Sequence, residues 1–335
     1  MFPPCYDRIE VPSATIETND IFNVSTKTLC GEDCVLVIGN PPWATNSELS
    51  FNLPPKTNFK GLRGIEDFDK KSVIDTLIVS GDTVKTARTI TDLEGKCQFV
   101  WRQGVKHDCG KVMELDRKDN DFINKNKTAV RLENGLVFPL VKSSHFKKPI
   151  IHDFSKFVIV TQTKPKQDTA YIQKEYPLTW KYLNDNIESF DKRKSVIYKE
   201  TAPFSMFGIG DYSFAPYKVA LSGFYKKPLF CLLYASKPVM TDDTAYFLAF
   251  YDYDIAYSMM LLLNSKTVQE FLLSIAFLDN KRPYTVKLLS RLDIQKCLEA
   301  VPFEGLKQTE AGLKLPPKIT ETMYRNLAQF VREQA

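Results

Sequence analysis

The residues of this chain best equipped for chemistry are Asn40-Pro41-Pro42-Trp43. They follow Cys34-Val35-Leu36-Val37-Ile38, an apolar run without polar interruption, which is the pattern of a strand buried on both faces. Gly39, Asn40 and the two prolines end that strand, because proline lacks the N–H a ladder needs and restricts the residue before it. An amide side chain is thereby delivered at a strand's carboxyl end, where open α/β sheets place their ligands. The Asn40 oxygen and the Pro41 carbonyl are acceptors, the rigid Pro41-Pro42 backbone fixes where they point, and Trp43 adds a flat aromatic face. Asparagine is not a strong base, so chemistry here rests on positioning and hydrogen-bond polarisation.

The elements that must position this tetrapeptide belong to a chain of 335 residues, long enough for a large core and expected to form two domains. A hydrophobic content of 44% and a charged content of 25% are those of a globular protein and exclude disorder. The net charge of +5 permits an anionic partner without demanding one. Seven scattered cysteines, an odd number, provide neither a disulfide framework nor paired zinc knuckles. No signal-like segment opens the chain and no apolar run approaches the ~20 residues needed to cross a bilayer. The expectation is a soluble, cytoplasmic protein with reduced thiols and no membrane partner.

Asn40-Pro41-Pro42-Trp43 resembles the (Asp/Asn/Ser)-Pro-Pro-(Tyr/Phe/Trp) motif of methyltransferases that modify exocyclic amino groups, above all adenine N6 in DNA. Arg102-Gln103-Gly104-Val105-Lys106-His107-Asp108, Arg193-Lys194-Ser195, Gly208-Ile209-Gly210-Asp211-Tyr212-Ser213-Phe214 and Asp242-Asp243-Thr244 look like recurrent blocks of bacterial adenine-specific methyltransferases of restriction-modification type. This second likeness covers most of residues 97–295, where that family carries its target-recognition domain. The resemblance implies an α/β fold, a partial class I methyltransferase sheet over residues 1–96, followed by an α+β DNA target-recognition domain with C-terminal helices over residues 97–335. It implies methyl transfer from S-adenosylmethionine to an adenine flipped out of double-stranded DNA, with Asn40 and Pro41 holding N6, Pro42 stiffening the turn and Trp43 stacking on the base. It also implies a cognate restriction endonuclease as partner, and a place for Asp20, in Ile16-Glu17-Thr18-Asn19-Asp20-Ile21-Phe22, facing the cofactor's adenine.

The sequence departs from that family in two respects. A glycine-rich cofactor loop normally precedes the tetrapeptide, and none of the residues before Asn40 supplies one. Gly208-Ile209-Gly210, the sole Gly-x-Gly, follows no clear buried strand and opens no helix, so it lacks the context of a cofactor loop. The stretch 65–96 is also too short to complete a class I sheet. The chain is therefore expected to use a second polypeptide for cofactor binding, or to be a DNA-recognition module that keeps the tetrapeptide as a remnant. Methylation of RNA or of a protein glutamine uses similar tetrapeptides; the basic C-terminal region argues for DNA.

From Cys97 onward short apolar runs alternate with turn formers and basic pairs, which fits strands of a curved α+β domain. Lys and Arg beside aromatics suit a nucleic-acid surface, since cations neutralise phosphates, guanidinium forks read guanine edges and aromatics stack on opened bases. The candidate DNA contacts are Arg102, Lys106, His107, Lys142, Arg193, Lys194, Tyr212, Lys218, Lys226, Lys281 and Arg282. His107, His145 and His152 lack metal-ligand spacing, and Asp242-Asp243 reads as a turn between strands. Residues 253–277 read as two buried helices meeting near Asn264-Ser265, with Ser265 as N-cap. Residues 317–334 read as an amphipathic helix with Ile319, Met323, Leu327, Phe330 and Val331 at helical spacing.

Overall fold

The computed structural model describes residues 93–118, 121–276, 278 and 280–334. Asp20, Asn40, Pro41, Pro42, Trp43 and the expected methyltransferase sheet lie outside the described residues. Within them the strands are β1 (Arg102–Gln103), β2 (Glu114–Lys118), β3 (Asp121–Asn124), β4 (Ala129–Val130), β5 (Val137–Val141), β6 (Ile150–Ile151), β7 (Lys156–Ile159), β8 (Tyr217–Ser222), β9 (Cys231–Leu233), β10 (Met240–Thr241) and β11 (Ala245–Phe250). The helices are α1 (Gly110–Met113), α2 (Tyr171–Glu175), α3 (Pro177–Asp185), α4 (Ile187–Asp191), α5 (Tyr253–Asn264), α6 (Lys266–Ile275), α7 (Val286–Leu289), α8 (Ile294–Ala300), α9 (Phe303–Gly312) and α10 (Glu321–Glu333).

The strands form two mixed sheets. One has the order β1-β11-β8-β9-β6, antiparallel except where β6 joins β9; the other has the order β10-β5-β7-β2-β3-β4, antiparallel except where β10 joins β5. The first sheet is covered on both faces, and the period-two alternation of its strands shows how. Val219 and Leu221 of β8 and Leu248 and Phe250 of β11 enter the same core as α5, whereas Ala220, Ala245 and Phe247 enter a second cluster with Val141 and Phe146. Two-sided burial makes these strands near-continuous apolar runs. The other sheet packs Leu115, Val137 and Ile159 against Ile172, Leu183 and Phe190 of the helices that follow it.

The C-terminal part is helical. Helix α5 is apolar on every side from Ile255 to Leu263 and is buried throughout, as a core helix must be. Its N-terminus is capped by Asp252, whose carboxylate accepts the Ile255 N–H at 2.9 Å. Ser265 stands at the start of α6 as the sequence suggests, yet its hydroxyl makes no capping bond and is buried without a partner. The last helix starts at Glu321 rather than at Pro317, where the sequence pattern begins, for a physical reason. The N–H groups of Lys318 and Ile319 both go to Glu310 Oε1 at 2.9 Å, which also accepts the Tyr257 hydroxyl at 2.6 Å, so the chain is still pinned to α9 and α5 before the helix begins. Thr320 then caps α10 by accepting the Met323 N–H, and Met323, Leu327 and Val331 are buried along one face. A Thr320→Ala variant is expected to lose about 1 kcal/mol in urea unfolding, the usual cost of a deleted N-cap.

The region from Cys97 onward fits strands by its pattern, yet three of its basic or aromatic segments take other forms. Arg193–Lys199 contains a single 3-10 turn at Val196–Tyr198, Tyr212-Ser213-Phe214 lies in another at Asp211–Phe214, and Lys281–Tyr284 forms no strand. In the first of these the backbone is organised around the Arg193 side chain, as described next.

Candidate nucleic-acid interface

Segments far apart in sequence meet where the chain leaves β1. The Gly104 N–H donates to the Ala245 carbonyl at 3.1 Å and the Val105 N–H to that of Thr241 at 2.7 Å. Lys106 and Phe207 exchange both backbone bonds at 2.8 Å. The segment Arg102–Asp108 is therefore threaded between Phe207-Gly208 on one side and Thr241-Asp242 on the other. Glycine is required on both sides of the crossing. A Cβ on Gly104 would lie 2.1 Å from the Asp242 carbonyl oxygen, and one on Gly208, whose φ is +69°, would lie 2.4 Å from the Gly104 carbonyl oxygen. Gly208-Ile209-Gly210 thus serves a backbone crossing with Ile209 buried, followed by a 3-10 turn. These residues do not fit a cofactor loop. Arg193 ties the same region from behind, donating to the carbonyls of Phe190, Pro203 and Ser205 at 3.1, 2.7 and 2.7 Å with its guanidinium carbon 3.8 Å from the Tyr198 ring centroid.

Beside the crossing opens a cleft of about 390 Å³, walled by Val105–Asp108, Lys142–Ser144 and Asp242–Thr244, with Glu114 and Phe224. Glu114 is buried and is the centre of its charge network. Lys142 Nζ donates to both carboxylate oxygens at 2.9 and 2.8 Å, Lys125 Nζ approaches Oε2 at 2.8 Å, and His107 Nε2 lies 3.7 Å from Oε1. Burial alone would raise the Glu114 pKa; the bonds to Lys125 and Lys142 outweigh it and hold the carboxyl below its ordinary value. His107 goes the other way. Burial lowers its pKa to about 4 despite the attraction of Glu114, so at neutral pH the ring is uncharged, with Nδ1 accepting the Cys109 N–H at 3.2 Å. Asp242, raised by burial, accepts the N–H and the hydroxyl of Thr244, and that hydroxyl lies 2.5 Å from the Ser143 hydroxyl. Arg282 donates to the Asp243 carbonyl at 3.1 Å and lies 3.4 Å from its carboxylate, with the guanidinium 5.2 Å from the Phe224 ring centroid. Lys106 pairs with Asp108 at 3.5 Å.

The eleven residues expected from the sequence to contact DNA fall into distinct groups. Lys106, His107 and Lys142 line the cleft and Arg282 is bonded to its wall. Arg102, on β1, is not among the lining residues; its guanidinium lies 4.4 Å from the ring centroid of Tyr212, which does not line the cleft either. Lys194, Lys226 and Lys281 are exposed and make no ion pair among the described residues. Lys218 requires a correction: it is 1% exposed, inside β8, donating to the Ala215 carbonyl at 3.0 Å, so it presents no charge to a surface. Arg193 is likewise engaged with interior carbonyls, and His107 is no cation. The sheet around Lys218 is covered on both faces, which leaves a strand lysine no route to water.

These features can be set beside known proteins. No family model matches the chain. The chain is 39% identical over 216 residues to the Type II methyltransferase M.NspV of Nostoc sp. (strain ATCC 29411 / PCC 7524), an alignment covering 64% of this chain and 45% of that protein. It thus spans less than half the length of the curated relative it matches. Among solved structures, the Type IIL restriction-modification enzyme MmeI in complex with DNA aligns over 72% of this chain and 33% of its own, with a TM-score of 0.41 and 12% identity, a likeness too loose to carry an argument.

Sequence reasoning missed Glu114, Lys125 and Gln103. Gln103 Nε2 donates to the Asp243 carbonyl and so ties β1 to the turn carrying the cleft's acids. Glu114 belongs to Glu114-Leu115-Asp116-Arg117-Lys118, a stretch with a single apolar residue that sequence reasoning passes over. In the folded chain it directly follows Val112-Met113, both fully buried, so the strand enters from the core and its first side chain is still inside.

Proposed function

We propose that this chain is part of a DNA adenine-N6 methyltransferase in a restriction-modification setting. Residues 97–335 recognise double-stranded DNA through the cleft and its surroundings, and residues 1–96 bring the catalytic tetrapeptide. The observation that carries this reading is the 39% identity to the Type II methyltransferase M.NspV over 216 residues. Convergence at one crossing of Arg102–Asp108, Phe207-Gly208 and Thr241-Asp242 supports it, because these segments belong to or adjoin the blocks that resemble the family. In this reading Asn40 and Pro41 accept the two N6 hydrogens and favour a tetrahedral nitrogen, Pro42 holds the turn, and Trp43 stacks on the flipped base. The methyl donor is S-adenosylmethionine. Asp20 faces its adenine, and a second polypeptide supplying the donor-binding half and a cognate restriction endonuclease are the proposed partners.

Gly208-Ile209-Gly210, the sole Gly-x-Gly of the sequence, serves the backbone crossing, which keeps a second reading in view, a DNA-recognition module that retains the tetrapeptide as a remnant. The test is transfer of a tritiated methyl group from S-adenosylmethionine to duplex DNA, by the chain alone and with a candidate partner. Transfer only with the partner, abolished by Asn40→Ala while DNA binding persists, is the expected result. Transfer that survives Asn40→Ala would sink the catalytic assignment. No transfer with any partner, no calorimetric heat with S-adenosylmethionine and intact DNA binding would favour the module.

A further inference from the structure

We infer that the cleft reads base edges and that the phosphates are held outside it, by Lys226 and Lys281. The inference rests on the DNA-binding reading above and adds a division of labour to it. Its basis is the charge balance of the cleft. Of the side chains that line it, Lys106 and Lys142 are cations against the carboxylates of Asp108, Glu114, Asp242 and Asp243; Lys125 and Arg282, paired to Glu114 and Asp243 from outside the lining, bring the cations to four, and His107 is neutral. Each of those cations already has a carboxylate within 4.0 Å. A phosphate bound at Lys142 or Lys125, the cations on the buried acid, would have to draw that lysine away from Glu114. That would strip partners from a buried carboxylate, the costly way to break an ion pair.

A base edge makes no such demand. It is neutral overall and presents donors and acceptors side by side. The cleft offers the complementary arrangement at two places, Lys106 with Asp108 and Arg282 with Asp243, all four side chains about one-third exposed. Arg282 is held from below by Phe224 and from the side by the Asp243 carbonyl, so its remaining N–H groups are oriented before DNA arrives. A guanidinium fork of this kind suits guanine O6 and N7, and the carboxylate oxygens of Asp108 and Asp243 suit the exocyclic amines of adenine or cytosine.

Phosphate contacts need cations that are free and wet. Lys226 lies two residues after Phe224 and Lys281 immediately before Arg282, so both flank the cleft. Both are exposed and make no ion pair among the described residues.

The experiment uses the full chain and a pool of duplexes with a randomised centre, retained by the protein, amplified and sequenced, together with pool binding as a function of salt. Wild type is expected to enrich a short motif. Arg282→Gln and Asp108→Asn are expected to alter that motif and to lower discrimination about tenfold, with the salt slope kept. Lys226→Ala and Lys281→Ala are expected to keep the motif and to make the salt slope shallower by about 0.9 each, one phosphate apiece. Circular dichroism checks that each variant folds, and the two cleft variants are independent of one another. A wild type that binds duplexes without enriching any motif, or cleft variants that weaken all duplexes alike with a shallower slope, would overturn the inference and leave DNA binding standing. A wild type that retains no duplex even at low salt would overturn the DNA-binding reading itself.

Discussion

Replacing Gly104 by alanine is expected to destabilise the protein by about 4–6 kcal/mol, the sum of overpacking and of disturbed backbone hydrogen bonds. The added Cβ would meet the carbonyl oxygens of Asp242 at 2.1 Å and Thr241 at 2.3 Å, and these are backbone atoms that cannot swing aside. Relief requires the crossing to part, which breaks the bonds from Val105 N–H to Thr241 and from Gly104 N–H to Ala245. Those bonds also hold two walls of the cleft together, so on the proposed reading DNA binding should fall with stability. Gly312→Ala is the control. A Cβ there meets nothing within 4 Å, and the residue closes helix α9, so the same substitution should be neutral or stabilise by up to about 1 kcal/mol. Thermal unfolding of the two variants should show a melting temperature lowered by roughly 10 °C or more for Gly104→Ala and a small rise for Gly312→Ala. Equal, small effects would mean that the crossing is not tight.

The sequence announces this crossing only indirectly. Gly104 and Gly208 stand in blocks that resemble a family, and the resemblance marked the blocks without saying that they touch. Contact between residues 104 and 208 depends on pairing over long sequence separations, which no local pattern encodes. Local patterns performed well where the physics is local. The apolar run at Met259-Met260-Leu261 became a core helix, and the spacing of Met323, Leu327 and Val331 became the buried face of α10. They failed where a charged side chain is taken inside. Arg193 and Lys218 were read as surface cations because lysine and arginine are so rarely buried, yet the first closes a loop by binding carbonyls and the second lies in a strand. For Lys218 a signal was present. It interrupts Tyr217–Ser222, otherwise a run fit for a strand covered on both faces, and in such a strand the odd polar residue has no solvent side to turn to. Glu114 gave no comparable signal, since its two lysine partners come from positions 125 and 142 and only the folded chain brings them to it.

Lys218 also provides the second large effect, with its own dependence on pH. Burial lowers its pKa from 10.5 to about 7, and the one hydrogen bond to the Ala215 carbonyl does not offset that desolvation. Between pH 7 and 10.5 the unfolded chain binds a proton at this site that the folded chain does not. Wild-type stability from this group therefore rises with pH across that window, and below it the full cost of a buried charge or of deprotonation is present. Methionine matches the lysine stem in length, needs no solvation and can pack on Phe247, whose ring centroid lies 5.7 Å from the ammonium. Lys218→Met is thus expected to stabilise the fold on the order of 3 kcal/mol at pH 6, after allowing for the lost hydrogen bond, at ~1.4 kcal/mol per pKa unit. The advantage over wild type should shrink steadily between pH 7 and 10.5 as the wild-type penalty disappears. Urea unfolding of both proteins at pH 6, 8 and about 9.5 measures this. A variant less stable than wild type at pH 6, or a difference that does not change with pH, would mean that the ammonium is solvated or paired after all. Because the lysine faces no surface, the substitution should stabilise the strand and, on the proposed DNA-binding reading, leave the salt slope unchanged, which would separate a residue that supports the proposed interface from those that form it.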